Sequence, residues 1–86
     1  MHTVELLEEA VALAERAGYQ IRQEWLGGSG GGACQIKGRK TLFLDVAAGP
    51  ADQLEQVLDA LRGEPEVLAR PMPYQLRELL QARKIA

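Results

Sequence analysis

Between Leu26 and Ala33 the chain reads Gly27-Gly28-Ser29-Gly30-Gly31-Gly32. Glycine loses more backbone freedom on ordering than any other residue and brings no side chain to pack, so this run reads first as a connector. It leaves 26 residues before it and 54 after it, in a chain of 86. Segments below about 40 residues rarely hold a core of their own. The two sides must therefore build one core together, a single domain from 1 to 86.

The segment before the glycines contains an amphipathic helix, about residues 4 to 17. Val4, Leu7, Val11 and Ala14 form one apolar row and Leu6, Ala10, Leu13 and Ala17 a second, while Glu5, Glu8, Glu9, Glu15 and Arg16 take the opposite side. Thr3 is the expected N-cap and Gly18 the left-handed C-terminal cap. Tyr19 to Leu26 then reads as a strand by the alternation of Tyr19, Ile21 and Trp25 with Gln20, Arg22 and Glu24.

After the glycines, a strand from Ala33 to Lys37 meets another from Lys40 to Val46. Gly38-Arg39 suits a type II′ hairpin, which favours Gly at its first central position. In that register Cys34 faces Phe43, Gln35 faces Leu42 and Ile36 faces Thr41. One face then carries Cys34, Ile36 and Phe43, and the other carries Ala33, Leu42, Leu44 and Val46. Both faces are substantially apolar, so both need cover. Gly49-Pro50 opens a helix over 50 to 62 with a stripe of Leu54, Val57, Leu58 and Leu61, closed by Gly63. Residues 64 to 73 form a connector stiffened by Pro65, Pro71 and Pro73, with at most one helical turn around Glu66 to Arg70. A last helix follows over 74 to 84, with Leu76, Leu79 and Leu80 on one side. The expected fold is two-layer α+β, in the order α-β-β-β-α-α, with a three-stranded antiparallel sheet packed against helices.

Composition narrows the function classes. A net charge of -2 and a pI near 5.3 argue against a dedicated nucleic-acid binder. No apolar run approaches the roughly 20 residues of a membrane span, and the acidic N-terminal stretch does not read as a signal peptide. Cys34 is the only cysteine and cannot form an internal disulfide, so the expected compartment is the cytoplasm.

The chemistry-bearing residues are few. Gly28, Gly30 and Ala33 match G-x-G-x-x-A, but that pattern binds a pyrophosphate only where the loop leads into a helix, and here it leads into a hairpin. Loop chemistry alone favours a connector, although a ligand or partner strand approaching Gly30 and Gly31 closely is the functional alternative. Cys34 in a strand reads first as a small hydrophobe, and the only histidine, His2, lies before the first helix, so a Cys/His nucleophile pair is disfavoured. No Cys or His cluster has the spacing of a metal site, and no cofactor is expected. Glu24 and Asp45 lie at strand ends and could face one another, which makes them, with Cys34 and the glycine loop, the residues of a ligand-binding or catalytic alternative. The basic cluster Lys37, Arg39 and Lys40, with Arg22 on a neighbouring strand, offers a weak nucleic-acid contact, against the simpler reading of a lysine-rich turn that blocks strand pairing.

From Gly18 through Leu61 the chain resembles a family of small uncharacterised bacterial proteins, a domain of unknown function. The residues that carry the resemblance are Gly18-Tyr19 and Arg22, Gly31-Gly32-x-Cys34, and Leu42-Phe43-Leu44-Asp45. The resemblance implies no activity. A more distant similarity, to the minimal sheet of metallopeptidase-like regulatory domains, stops at the helix after the hairpin. There Leu54-Glu55-Gln56-Val57-Leu58-Asp59 replaces H-E-x-x-H, so peptidase activity is not implied.

The reading that remains is a non-enzymatic interaction or regulatory module, expected to be a homodimer. Its contact surface would be the sheet face bearing Cys34, Ile36 and Phe43, with Trp25 alongside. The last helix is a candidate cover for that face, on its own sheet or on a neighbour's.

Overall fold

The computed structural model describes residues 2–28 and 31–82. The elements follow in the order α1 (Thr3–Arg16), β1 (Gln20–Glu24), β2 (Gly32–Ile36), β3 (Arg39–Asp45), α2 (Pro50–Arg62), a 3-10 turn (Val67–Ala69) and α3 (Tyr74–Gln81). The α+β class and the three main helices are as the sequence implies, except that α3 ends at Gln81 and residues 83 and 84 of its expected span lie outside the described residues, with the connector's single turn now placed in the order. The helix α1 starts one residue early: His2, not Thr3, is its N-cap, and the His2 N–H donates to Glu5 Oε1 at 3.4 Å. At its other end Gly18, with φ +100°, sits in the left-handed region that closes a Schellman motif. There the Gly18 N–H donates to the Glu15 carbonyl at 3.0 Å and the Tyr19 N–H to the Ala14 carbonyl at 3.0 Å.

The sheet departs from the expectation. Its strand order is β1-β3-β2, with β1 parallel to β3 and only β2 antiparallel to it, so the sheet is mixed. The reason lies in composition. Thr-Leu-Phe-Leu in β3 is far more apolar than Gln-Ile-Arg-Gln-Glu in β1 or Gly-Ala-Cys-Gln-Ile in β2. A simple meander would leave β3 as an edge. Placing it in the centre pairs both of its edges and fully buries Leu42 and Leu44. The glycine-rich connection makes this arrangement by passing from one edge of the sheet to the other, two strand spacings of about 4.8 Å each.

The hairpin register also shifts by two residues. Lys37 (φ 52°) and Gly38 (φ 78°) are the central pair of the turn, both in the left-handed region that a type I′ loop demands, so Ile36 pairs with Arg39 and Cys34 with Thr41 rather than Phe43. A two-residue shift conserves the pleat, so the two faces keep the side chains assigned from the sequence.

On one face, Leu42 and Leu44 pack under α1 and α2, with Leu13, Val57, Leu58 and Leu61 of the helices fully or almost fully buried. Each such leucine contributes roughly 1.5–3 kcal/mol relative to exposure. The helix α3 joins this same layer: Leu76 and Leu80 are buried in the helical core. Three arginines hold it there. Arg62 Nη2 donates to the Leu79 carbonyl at 2.8 Å, Arg77 donates to the carbonyls of Leu68 and Arg70, and Arg70 Nη1 reaches the Arg16 carbonyl at 3.2 Å. The last helix is therefore not the cover of the opposite sheet face. Its leucines find the helices first.

Candidate interaction surface

The face turned away from the helices carries Cys34 and Ile36 of β2, Thr41, Phe43 and Asp45 of β3, and Arg22 and Glu24 of β1, by the strand registers. No described helix covers it. Cys34 is exposed, Ile36 is 40% exposed, and Phe43 is half-buried outside the hydrophobic core. Phe43 is shielded by the Arg22 guanidinium, 5.6 Å from the ring centroid, and Arg22 is in turn paired with Glu24 at 2.8 Å. Trp25 lies just past the end of β1 and is 74% exposed. Gly30 lies outside the described residues.

Glu24 and Asp45 are indeed register partners across β1 and β3. Their chemistry is committed elsewhere. Asp45 is fully buried, and its carboxylate accepts the Leu26 N–H at 3.1 Å and the Ala47 N–H at 2.9 Å on Oδ1, and the Gly28 N–H at 3.0 Å on Oδ2. It ties the crossover connection and the turn after β3 to the end of the central strand. Glu24 is held by Arg22. The buried Asp45 carboxylate thus organises a loop, while Glu24 stays in a surface ion pair.

Among the described glycines of the loop, one is closely packed. A Cβ on Gly31 would stand 1.9 Å from the Phe43 carbonyl oxygen and 2.7 Å from Gln56 Oε1, so only glycine fits there. The constraint is steric and local to the crossover.

The basic cluster separates. Lys40 belongs to the helix side of the sheet, where its Nζ donates to the Ala17 carbonyl at 2.7 Å, forms a short ion pair with Glu64, and lies 4.8 Å from the Tyr19 ring centroid. A cation at the carbonyl end of α1 also suits the helix dipole. Burial and the neighbouring Glu64 carboxylate push the Tyr19 phenol above its ordinary value near 10, with Lys40 opposing them. Lys37 and Arg39 remain exposed at the turn, and Arg22 lies on the opposite face from Lys40. The sequence pattern grouped these four cations; the strand pleat divides them.

Among the described residues no three His, Cys, Asp or Glu side chains are grouped to hold a metal ion, and no helix is long and apolar enough to cross a membrane. The residues that sequence reasoning missed are Lys40 and Glu64 as a strap across the helix layer, and Asp45 as an anchor. A lone carboxylate ending the most apolar strand was the available signal for the second. No family model, curated protein or solved structure matches the chain.

Proposed function

We propose that this chain is a small non-enzymatic protein–protein interaction module, that its first partner is a second copy of itself, and that its contact surface is the bare side of the sheet with the adjoining free edge of β2. The observation that carries the reading is the contrast between the two sides. Asp45, Glu24 and Lys40 are tied into the fold, whereas Cys34, Ile36 and Phe43 share a face with no described helix upon it. Soluble proteins rarely leave such apolar surface in water. The commitment of Asp45 to three backbone amides and of Glu24 to Arg22 weighs against the ligand-binding or catalytic alternative. The dispersal of the basic cluster weighs against a nucleic-acid contact. We place the protein in the cytoplasm, where a reducing environment keeps Cys34 a thiol.

Light scattering on the purified chain tests this directly. A mass near twice the 9.4 kDa of one chain is expected, at a chain concentration of about 100 µM, enough to populate dimers of micromolar affinity. A mass of one chain throughout the accessible concentration range overturns the reading.

A further inference from the structure

The two edges of the sheet are not equivalent. The outer strand β1 carries Arg22 and Glu24, charges of the kind that discourage pairing with another strand. The outer strand β2, Gly-Ala-Cys-Gln-Ile, has no charge and no proline, and four of its five residues are exposed. It is the edge that lacks protection.

The register fixes which of its backbone groups are free. Ile36 and Arg39 close a two-residue turn and so form a pair that exchanges both main-chain hydrogen bonds. The alternation of an antiparallel ladder then makes Cys34–Thr41 and Gly32–Phe43 bonded pairs as well. Gly32, Cys34 and Ile36 thus point their N–H and C=O groups inward to β3. Ala33 and Gln35 point theirs outward, at the free edge.

Resting on the self-association proposed above, and placing it at the β2 edge rather than across the bare face, we infer that a second copy adds to this edge, with β2 antiparallel to its partner β2 and a two-fold axis passing between the two Cys34 residues. A dyad perpendicular to the sheet must relate each residue to its own counterpart, and only the Cys34-centred choice overlaps all five residues of both strands. In that register Ala33 lies opposite Gln35 of the second copy, and these are the residues whose main-chain groups are free. Ile36 lies opposite Gly32, which leaves room for its side chain. Lys37, just past the strand, lies opposite Gly31, so like charges do not meet. The result is one continuous sheet of six strands, three from each copy, with both helical layers on the same side. The two Cys34 residues form a non-hydrogen-bonded pair, whose Cα atoms stand about 4.5 Å apart, inside the range a disulfide spans.

That last feature makes the geometry measurable. Diamide converts two thiols to a disulfide by accepting their two electrons and two protons at its azo bond, becoming the hydrazine. In the folded chain, Cys34–Cys34 crosslinking is expected to run about tenfold faster or more than in concentrated urea, because pairing sets a local thiol concentration far above that in solution. Cys34→Ser is expected to remain dimeric by light scattering, since the disulfide is a reporter and not the cause. Gln35→Pro removes an outward N–H without touching the ladder to β3, so it is expected to give a monomer with an unchanged circular dichroism spectrum. Mass of one chain before oxidation overturns both this inference and the self-association reading. A dimer whose crosslinking is no faster than in urea, or one that survives Gln35→Pro, overturns the edge pairing and leaves self-association standing through another surface. Should Gln35→Pro fail to fold, the crosslinking rate of the native chain decides alone.

Discussion

Replacing Asp45 probes the link on which the crossed sheet depends. Its carboxylate is fully buried, with two amide donors on Oδ1 (Leu26, Ala47) and one on Oδ2 (Gly28). A hydrogen bond to a charged group is worth about 1.5–3 kcal/mol net. Asp45→Ala removes both acceptor oxygens and with them these three bonds. The contributions do not add, because the released loop lets some amides return to water, so the expected loss is about 3–5 kcal/mol. For a chain of 86 residues, total stability is on the order of 4 to 13 kcal/mol, so this loss takes a large fraction of it. Asp45→Asn separates the oxygens. It can keep the two bonds at Oδ1 but turns an NH2 toward the Gly28 N–H, and should cost about 1.5–3 kcal/mol. Urea denaturation of the three proteins gives the ordering directly, with an unchanged slope expected. Hydrogen exchange should quicken at Gly28 in both variants, and at Leu26 and Ala47 chiefly in Asp45→Ala. An alanine variant no less stable than the asparagine variant, or two variants within about 0.5 kcal/mol of the native chain, would refute the account of Asp45 as the anchor of the crossover.

Leu58→Ala, at an almost fully buried position under the sheet, should lower stability by about 2–5 kcal/mol and the melting temperature with it; an unchanged melting curve would contradict the helix placement. Lys40→Met leaves the Glu64 carboxylate and the Ala17 carbonyl without their shared donor and should cost about 1–3 kcal/mol. Adding Glu64→Gln should recover part of that loss, and strict additivity in the double-mutant cycle would show the strap to be unimportant. Tyr19 has its phenol raised in the folded state, so its contribution is fully present below the unfolded value near 10 and is lost as pH rises through the folded value. Comparing the native chain with Tyr19→Phe in alkaline urea titrations should show the native chain losing more stability above that pH; parallel profiles would count against the burial assigned to the ring.

Much of this architecture is written in local chemistry. The apolar rows of α1, the Gly49-Pro50 start of α2 and the leucines of α3 each follow from spacing that one helix alone determines. Strand order is not local. Nothing within Gln20–Glu24 says which strand will lie beside it, and only the comparison of all three strands shows that the most apolar one belongs in the centre. The hairpin illustrates a finer limit. Both Gly38-Arg39 and Lys37-Gly38 place glycine in a positive-φ position, and the choice between them turns on Lys37 accepting φ 52°, which its own identity does not advertise. The two faces of the sheet are the same in either register, because the two registers differ by an even number of residues. The surface was legible for the same reason, whereas the fates of Lys40 and Asp45 depended on partners 24 and 19 residues away in sequence.

The central place of β3 has a consequence for how the chain comes off the ribosome. Its pairing with β2 is a two-residue hairpin and closes in microseconds, but its pairing with β1 is long-range and must wait for the chain to bend back. During that wait, Thr-Leu-Phe-Leu offers a naked strand edge to any neighbouring nascent chain. Synthesis from the N-terminus removes the hazard, since α1 and β1 have already emerged when β3 appears. A circular permutant beginning at β2 would reverse the timing, delivering the partner strand last. The native order of elements thus delivers the central strand after the outer strand β1 with which it pairs in parallel.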